Sequence, residues 1–297
     1  LSGVDVPGLP DTWNSMSDVD YRLSESESLN AWIDFKLDDH WHLRGTYAKQ
    51  HYRTDMLFSG NFGMANNTTF LQGRRLRAQT YANRDETLSV DVVGQHRFGA
   101  TSLRLLLGAQ HVVRRFDNWA AQAPNDPALG SDPTASPLPL WDLRDPSTWN
   151  RHVTIPRSAL TANPTDRRSD ATDQSVYAGS TLGLLDDRLL LLAGLRLTRT
   201  RNMLDNRLTQ QVDRIDARKT TPQLGVLYKI DPGLAAFASY AESFVPGATI
   251  LNRLDGSTAA AEPSEGKGFD LGLKAVLLDG RVSGTLSYFD LRNRRIV

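Results

Sequence analysis

The chain has 297 residues, 34 basic side chains against 34 acidic ones, 40% hydrophobic residues and no cysteine. The balanced charge argues against nucleic acid as a partner, and the missing thiols exclude disulfide staples and thiolate metal sites. No run of about 18 apolar residues offers a membrane helix, but a mean hydropathy of −0.40 does not exclude a barrel, because alternation halves the apolar density of each strand.

The N-terminal stretch LSGVDVPGLPDTWN has neither a basic n-region nor an apolar h-region, and Arg294-Arg295-Ile296-Val297 ends the chain directly after a strand. We read the chain as part of a longer protein. Alternating segments follow at 26–37, 41–53, 70–98, 102–116, 172–185, 188–202, 218–230, 234–245, 265–278 and 281–294. In the first, Leu29, Ala31, Ile33, Phe35 and Leu37 share one face, and Asn30, Trp32, Asp34 and Lys36 share the other. In the sixth, Leu189, Leu191, Ala193, Leu195 and Leu197 form the apolar face. The ninth sets Phe269, Leu271, Leu273, Ala275 and Leu277 against Gly268, Asp270, Gly272 and Lys274. Such period-two patterns are strands with one apolar face. No amphipathic helix is available to cover those faces. The expected fold is all-β, a transmembrane antiparallel barrel segment of about ten strands with its apolar face on lipid.

The connections fall into two classes. Residues 38–40, 99–101, 186–187, 231–233 and 279–280 have tight-turn compositions. Residues 54–69, 117–171, 203–217 and 246–264 are long. Strict alternation of short and long puts short periplasmic turns at one rim and long extracellular loops at the other. That parity requires 70–98 to be one strand, with a bulge expected near Asp85. Its first half, RRLRAQTYAN, is too charged for lipid and should stand above the membrane. The 117–171 loop holds eight of the 14 prolines and three of the six tryptophans, Trp119, Trp141 and Trp149, so an ordered, packed loop is expected.

Enzyme signatures are absent: no G-x-S-x-G, no H-E-x-x-H, no phosphate loop and no dinucleotide fingerprint. Gly266-Lys267-Gly268 lacks the flanking residues of a phosphate loop. Asp38-Asp39 and Asp186-Asp187 lie in turns, where solvated carboxylates are ordinary. His40 and His42 could share a strand face, but a turn-end pair at a membrane interface is the reading preferred over a metal site. No catalytic residue, metal or cofactor is therefore assigned. Leu29, Ile33, Leu105, Leu191, Leu195, Leu271 and Leu273 should face lipid, with Phe35, Phe98, Tyr240 and Tyr288 in the apolar band or its aromatic girdles. Lys36, Gln110, Arg196, Asp270 and Lys274 should face the lumen. Arg74, Arg75, Arg77, Arg114, Arg196, Arg199 and Arg201 are placed on the lumen side or the loops, paired mainly with carboxylates.

The run TTPQLGVLYKIDPGLAAFASYAESFVPG at 220–247 resembles the barrel of TonB-dependent siderophore receptors, in its Pro and Leu-Gly strand and its Tyr240, Glu242, Ser243, Phe244, Pro246 ending. Pro263-Ser264-Glu265-Gly266-Lys267 with Gly272-Leu273-Lys274 is similar to the family's next element. So are Asp187, Arg188, Gly194, Leu195 and Arg196, and LDDHWHLRGTY at 37–47. The order of these elements resembles the middle of ferrichrome-type receptors along nearly the whole chain. Tyr177 followed by Ala178-Gly179-Ser180 departs from the family's usual Gln-Asp, and the loops match poorly.

The resemblance implies that residues 1–297 are a partial barrel domain from a barrel of about 22 strands, without its plug or its C-terminal strands. It implies the outer membrane of a Gram-negative bacterium, outer-membrane lipid around the wall, a ferric siderophore as cargo, and energy coupling by TonB–ExbB–ExbD through the plug. It also places Phe58, Phe62, Phe116 and Trp119 in or at the start of cargo-binding loops, as an apolar and stacking wall. Those aromatics favour hydroxamate over catecholate chelates. Alternative readings are a TonB-dependent transporter of another cargo, or a passive porin.

Overall fold

In the computed structural model the described residues are 9, 14, 16–64, 71–124, 138–245, 250–252, 258–260 and 263–294. Ten long strands form one antiparallel sheet in strict sequence order. They are β1 (Tyr21–Lys36), β2 (Trp41–Met64), β3 (Leu71–Phe98), β4 (Thr101–Gln122), β6 (Ala162–Leu184), β7 (Leu189–Asn206), β8 (Gln211–Asp231), β9 (Leu234–Val245), β12 (Ser264–Leu277) and β13 (Val282–Arg294). The two-residue β5 (Trp141–Asp142) adds to β3, and β10 (Ile250–Asn252) pairs with β11 (Thr258–Ala260) as a separate hairpin. The only helical pieces among the described residues are two single 3-10 turns, at Pro146–Thr148 and Arg157–Ala159.

Turn chemistry agrees with the sequence. The Asp38 carboxylate accepts from the backbone N–H of His40 and Trp41 at 2.7 and 2.9 Å, and Asp231 accepts from Gly233 N–H at 2.7 Å. Gly99 and Gly280 take the left-handed conformation with φ +62° and +85°, which glycine adopts without a Cβ penalty. Because every neighbour is antiparallel, these short turns share one rim. The 70–98 segment is one strand, as parity requires. Its register with β4 runs unbroken from Arg77↔Gln122 to Phe98↔Thr101, so the bulge expected near Asp85 is absent. Breaks in register lie elsewhere, between Asn61 and Met64 of β2, between Ala120 and Gln122 of β4 and between Lys229 and Asp231 of β8.

Strand lengths depart from the sequence reading at the long-loop rim. β2 continues to Met64, β4 to Gln122 and β7 to Asn206, while β6 starts at Ala162 and β8 at Gln211. The expected 203–217 loop is a turn at 207–210. The reason is physical: above the apolar band neither face is continuously apolar, so alternation of hydropathy stops while the hydrogen-bonded ladder goes on.

Directly paired residues share a face, which fixes the facing of the whole sheet. Ile33↔Gly45↔Val90↔Ala109↔Val176↔Leu197↔Thr220 is one row on the apolar face. Leu29, Ile33, Leu191, Leu195, Leu271 and Leu273 lie on this face and are solvent-exposed, at 57% and 66% for the first two. Such a surface is what a lipid-facing wall presents. Phe35, Phe98, Tyr240 and Tyr288 share it. Arg196 and Gln110 lie opposite and hydrogen-bond at 2.7 Å, and Lys274 sits 5.0 Å above the Phe237 ring on that same inner face. Arg199 and Arg201 are corrected by this parity: they share the outward face with Leu197, not the lumen.

The one buried apolar cluster among the described residues sits at the long-loop rim. Residues 138–161 fold as a strap over the outward face of the upper strands. Leu138, Val153 and Leu160 of the strap pack on Leu57, Leu76, Ala78 and Ala121. Trp141 is fully buried, and the Arg74 guanidinium lies 3.7 Å from its ring centre. Asp55 takes Arg157 in a two-pronged pair at 2.7 and 2.8 Å, with Thr80 donating at 2.6 Å and Tyr21 at 3.0 Å.

Candidate functional site

The upper inner face carries an aromatic row on three strands, extended by an arginine on a fourth. Arg22 of β1, Tyr52 of β2, Tyr81 of β3 and Phe116 of β4 all point inward by register. Ser26 pairs with Tyr52, Thr54 with Tyr81, and Asn83 with both Tyr52 and Phe116. Tyr52 and Tyr81 rings are 5.8 Å apart at 45°, and Tyr81 and Phe116 rings 6.3 Å apart at 43°. These are the tilted geometries that aromatic quadrupoles favour. Arg22 Nη2 donates to Tyr52 Oη at 3.0 Å and to Tyr81 Oη at 3.3 Å, and so closes the row at its β1 end.

Many of the described arginines pair with carboxylates, among them Arg44 with Asp34, Arg115 with Asp170 and Arg114 with Asp173. Arg22 has no carboxylate partner among the described residues. Hydroxyls of Ser24, Thr54 and Tyr81, together with the Arg22 guanidinium, hold the Tyr52 phenol below its ordinary range. Those phenols in turn raise Arg22 further. The row can stack on flat groups and donate hydrogen bonds to an anion or polar oxygen.

Lower on the same face, a groove of about 450 Å³ runs between β4 and β9 and is lined by Gln110, Arg114, Asp173, Arg196, Thr200 and Ser243. Arg196 again has neutral partners, Gln110 at 2.7 Å and Ser175 at 2.9 Å, and lies 5.2 Å from the Tyr177 ring. Tyr177 in turn donates to Asp91 at 2.5 Å.

The four aromatics chosen from sequence are all on strands rather than loops. Phe58 is in β2, half-buried and inward, opposite Arg77. Phe62 is also in β2, but its side chain lies outside the described residues. Phe116 is 41% exposed and belongs to the inner row. Trp119 pairs with Thr80 and Asp166 on the outward face, with the Arg157 guanidinium 5.7 Å from its ring. The structure therefore brings Phe116 and Phe58 to one face and Trp119 to the other. Sequence reasoning missed Arg22, Tyr52 and Tyr81. The signal was available in the strand period, since Tyr52 shares parity with Gln50 and Ala48 on the polar face. His40 stacks on His96 at 4.9 Å, beside Trp41 and Phe98 at the short-turn rim. No group of three or more potential metal ligands occurs among the described residues.

Comparison with known proteins gives a consistent answer. The family model described as TonB dependent receptor-like, β-barrel, matches residues 3–296. The metal-pseudopaline receptor CntO of Pseudomonas aeruginosa is 27% identical over 276 residues, covering 92% of this chain and 37% of that protein. The ferripyoverdine receptor of the same species is 22% identical over 289 residues, covering 94% and 31%. Its crystal structure with ferripyoverdine bound superposes with a TM-score of 0.76 at 16% identity, covering 98% of this chain and 35% of that one. BauA, the ferric preacinetobactin receptor of Acinetobacter baumannii, gives 0.73 at 16% identity, covering 93% and 38%. The structural matches speak for the fold. The chain spans only about a third of the length of these relatives.

Proposed function

This chain belongs to the TonB-dependent receptor β-barrel family, and we propose that it forms the cargo-binding wall of an outer-membrane receptor that imports a metal chelate. The wall lies in the outer membrane of a Gram-negative bacterium, with the long-loop rim outside the cell. The observation that carries the proposal is the inward row of Tyr52, Tyr81 and Phe116, capped by Arg22. It lies above the apolar band, where an incoming chelate first meets the barrel. Stacking on the rings and donation from Arg22 would bind the chelate shell without protein ligands to the metal. Phe58 would extend the same surface. Trp119, turned outward against Arg157, is assigned to holding the strap. Energy for release would come through TonB–ExbB–ExbD acting on a plug carried elsewhere in the protein.

The hydroxamate preference drawn from the sequence receives no support. The relatives are named for pseudopaline and pyoverdine complexes. Arg22 and Arg196 each lack a carboxylate partner among the described residues, which suits an anionic or strongly polar chelate better than a neutral one. The cargo is therefore proposed as an anionic metal chelate of siderophore type. Quenching of intrinsic fluorescence in the full-length receptor, titrated with ferric pyoverdine, ferric preacinetobactin, metal-loaded pseudopaline and ferrichrome, tests this. Saturable quenching by an anionic chelate, weakened in Tyr81→Ala and Arg22→Gln, is expected. Binding of ferrichrome alone, or equal affinity in both variants, overturns the reading.

A further inference from the structure

A second concave surface lies on the opposite, lipid-facing side of the sheet. It is a groove of about 680 Å³ crossing β3, β4, β6, β7 and β8. Two adjacent register rows build it. The lower row is Val90↔Ala109↔Val176↔Leu197↔Thr220, and the upper row is Leu88↔His111↔Gln174↔Arg199↔Arg218. Small side chains at Ala109 and Thr220 leave the floor open between the larger Leu88, Val90 and Leu197. The upper row is where the outward apolar run of β7, from Leu191 to Leu197, gives way to charge. A tilted strand crosses the hydrocarbon in about 9–11 residues, so this boundary falls at the level of the outer-leaflet headgroups.

The charge at that boundary is unbalanced. Arg199 and Arg218 face each other directly across β7 and β8, a like-charge pairing that costs stability in a sheet. Asp216 is bonded to Arg199 at 2.5 and 2.9 Å and lies 3.7 Å from Arg201. One carboxylate thus serves two guanidiniums, and among the described residues the third, Arg218, has no ion pair. A phosphate placed between Arg199 and Arg218 would relieve their repulsion through charge-assisted hydrogen bonds. An acyl chain continuing downward would fill the groove over Val90, Ala109, Val176 and Leu197.

We propose that this groove is a binding site for a phosphate-bearing lipid of the outer leaflet. A free phosphate would leave the apolar floor unused. A second copy meeting this face across a two-fold axis would bring the same arginines together, so a lipid is the occupant that satisfies both rows. The site is independent of cargo, being separated from the aromatic row by the thickness of the wall.

Native mass spectrometry of the full-length receptor in neutral detergent decides the matter, with lipid A, dephosphorylated lipid A and inorganic phosphate as probes. The expected result is one retained lipid A that the dephosphorylated form and millimolar phosphate do not displace. Arg218→Gln removes a donor that carries no ion pair among the described residues, and Val176→Trp fills the floor. Each should weaken retention roughly tenfold or more, the loss expected for a charged hydrogen bond. Heat-modifiable migration checks folding of both variants, and Arg218→Gln decides alone should the tryptophan variant fail to fold. Retention equal to wild type in folded Arg218→Gln overturns the proposal. So does equal binding of the dephosphorylated lipid, displacement by phosphate alone, or a lipid-free dimer that occludes the face.

Discussion

The same strands make two different walls. In the lower half, from the short turns to about Leu29 of β1 and Leu197 of β7, one face is continuously apolar and exposed, and the solvent it needs is lipid. In the upper half neither face is continuously apolar, and the strands are held by side chains: Arg157 on Asp55, Arg115 on Asp170, and the strap of 138–161 laid over Leu57, Leu76 and Ala78. The lower wall owes its stability to an environment and the upper wall to its own contacts. A charge introduced low should therefore damage the barrel, and a truncation high should open only the strap.

The largest effect is expected at Trp141, fully buried between the strap and Arg74. Trp141→Ala should cost about 3–5 kcal/mol, felt locally. Hydrogen exchange should rise across 138–160 and stay unchanged in the lower halves of β6 and β7. Exchange that rises throughout the sheet would show that the two walls unfold as one unit, and the contrast would fail. Next in size is Ala193→Arg, outward on β7 between Ser180 and Leu224. Near the bilayer midplane it should cost about 2–4 kcal/mol in lipid-reconstituted unfolding. Arg214→Leu, outward but above the band, should stay within about 0.5 kcal/mol. Similar losses at both positions would contradict the placement of the boundary.

This contrast also explains what could be read from sequence. Strand order, the shared rim of the short turns and the unbroken 71–98 strand followed from alternation and parity, because lipid demands both. The upper wall obeys no such demand. RRLRAQTYAN gives no hydropathy period, yet it pairs residue by residue with β2 and, from Arg77 on, with β4. The 203–217 segment reads as a loop because its large apolar residues, Met203, Leu204, Leu208, Val212 and Ile215, keep no period of two. The candidate site suffered most. Its residues were sought in loops, while Arg22, Tyr52 and Tyr81 meet only through a register that depends on how far each strand continues. Trp119 and Phe116, three apart, lie on opposite faces of one strand, which no loop reading distinguishes.

Acid provides a test of the upper wall alone. Arg157 holds the Asp55 carboxyl well below the ordinary carboxylate range, with Thr80 and Tyr21 adding to it. A depressed folded value means stability that is fully present above the unfolded value of about 4 and is lost as pH falls through the folded value. The strap should stay docked from pH 7 to 5 and loosen only below about pH 4. Asp55→Asn should cost about 1–3 kcal/mol of strap stability at neutral pH and remove that acid dependence. Limited proteolysis within 138–160 reads both. Loosening between pH 7 and 5 would point to a different clamp.

The smallest expected effect separates the two faces of β4 most sharply. Phe116→Ala should weaken chelate binding to the full-length receptor by about 1 kcal/mol, a roughly fivefold loss, because one ring of the tilted series disappears. Exchange protection of the strap should not change, since Phe116 touches Tyr81 and not the strap. Trp119→Ala should do the reverse. It removes the ring under Arg157, raises exchange near 157–160, and leaves chelate affinity at the wild-type value. The two side chains are three residues apart, similarly exposed and both aromatic, so composition and local mobility are matched between the variants. Only their direction across the wall differs. If both substitutions weaken the chelate equally, cargo contacts the strap as well as the inner row, and the strap is part of the binding surface. If neither does, the row of Tyr52, Tyr81 and Phe116 is structural and the cargo lies elsewhere in the receptor.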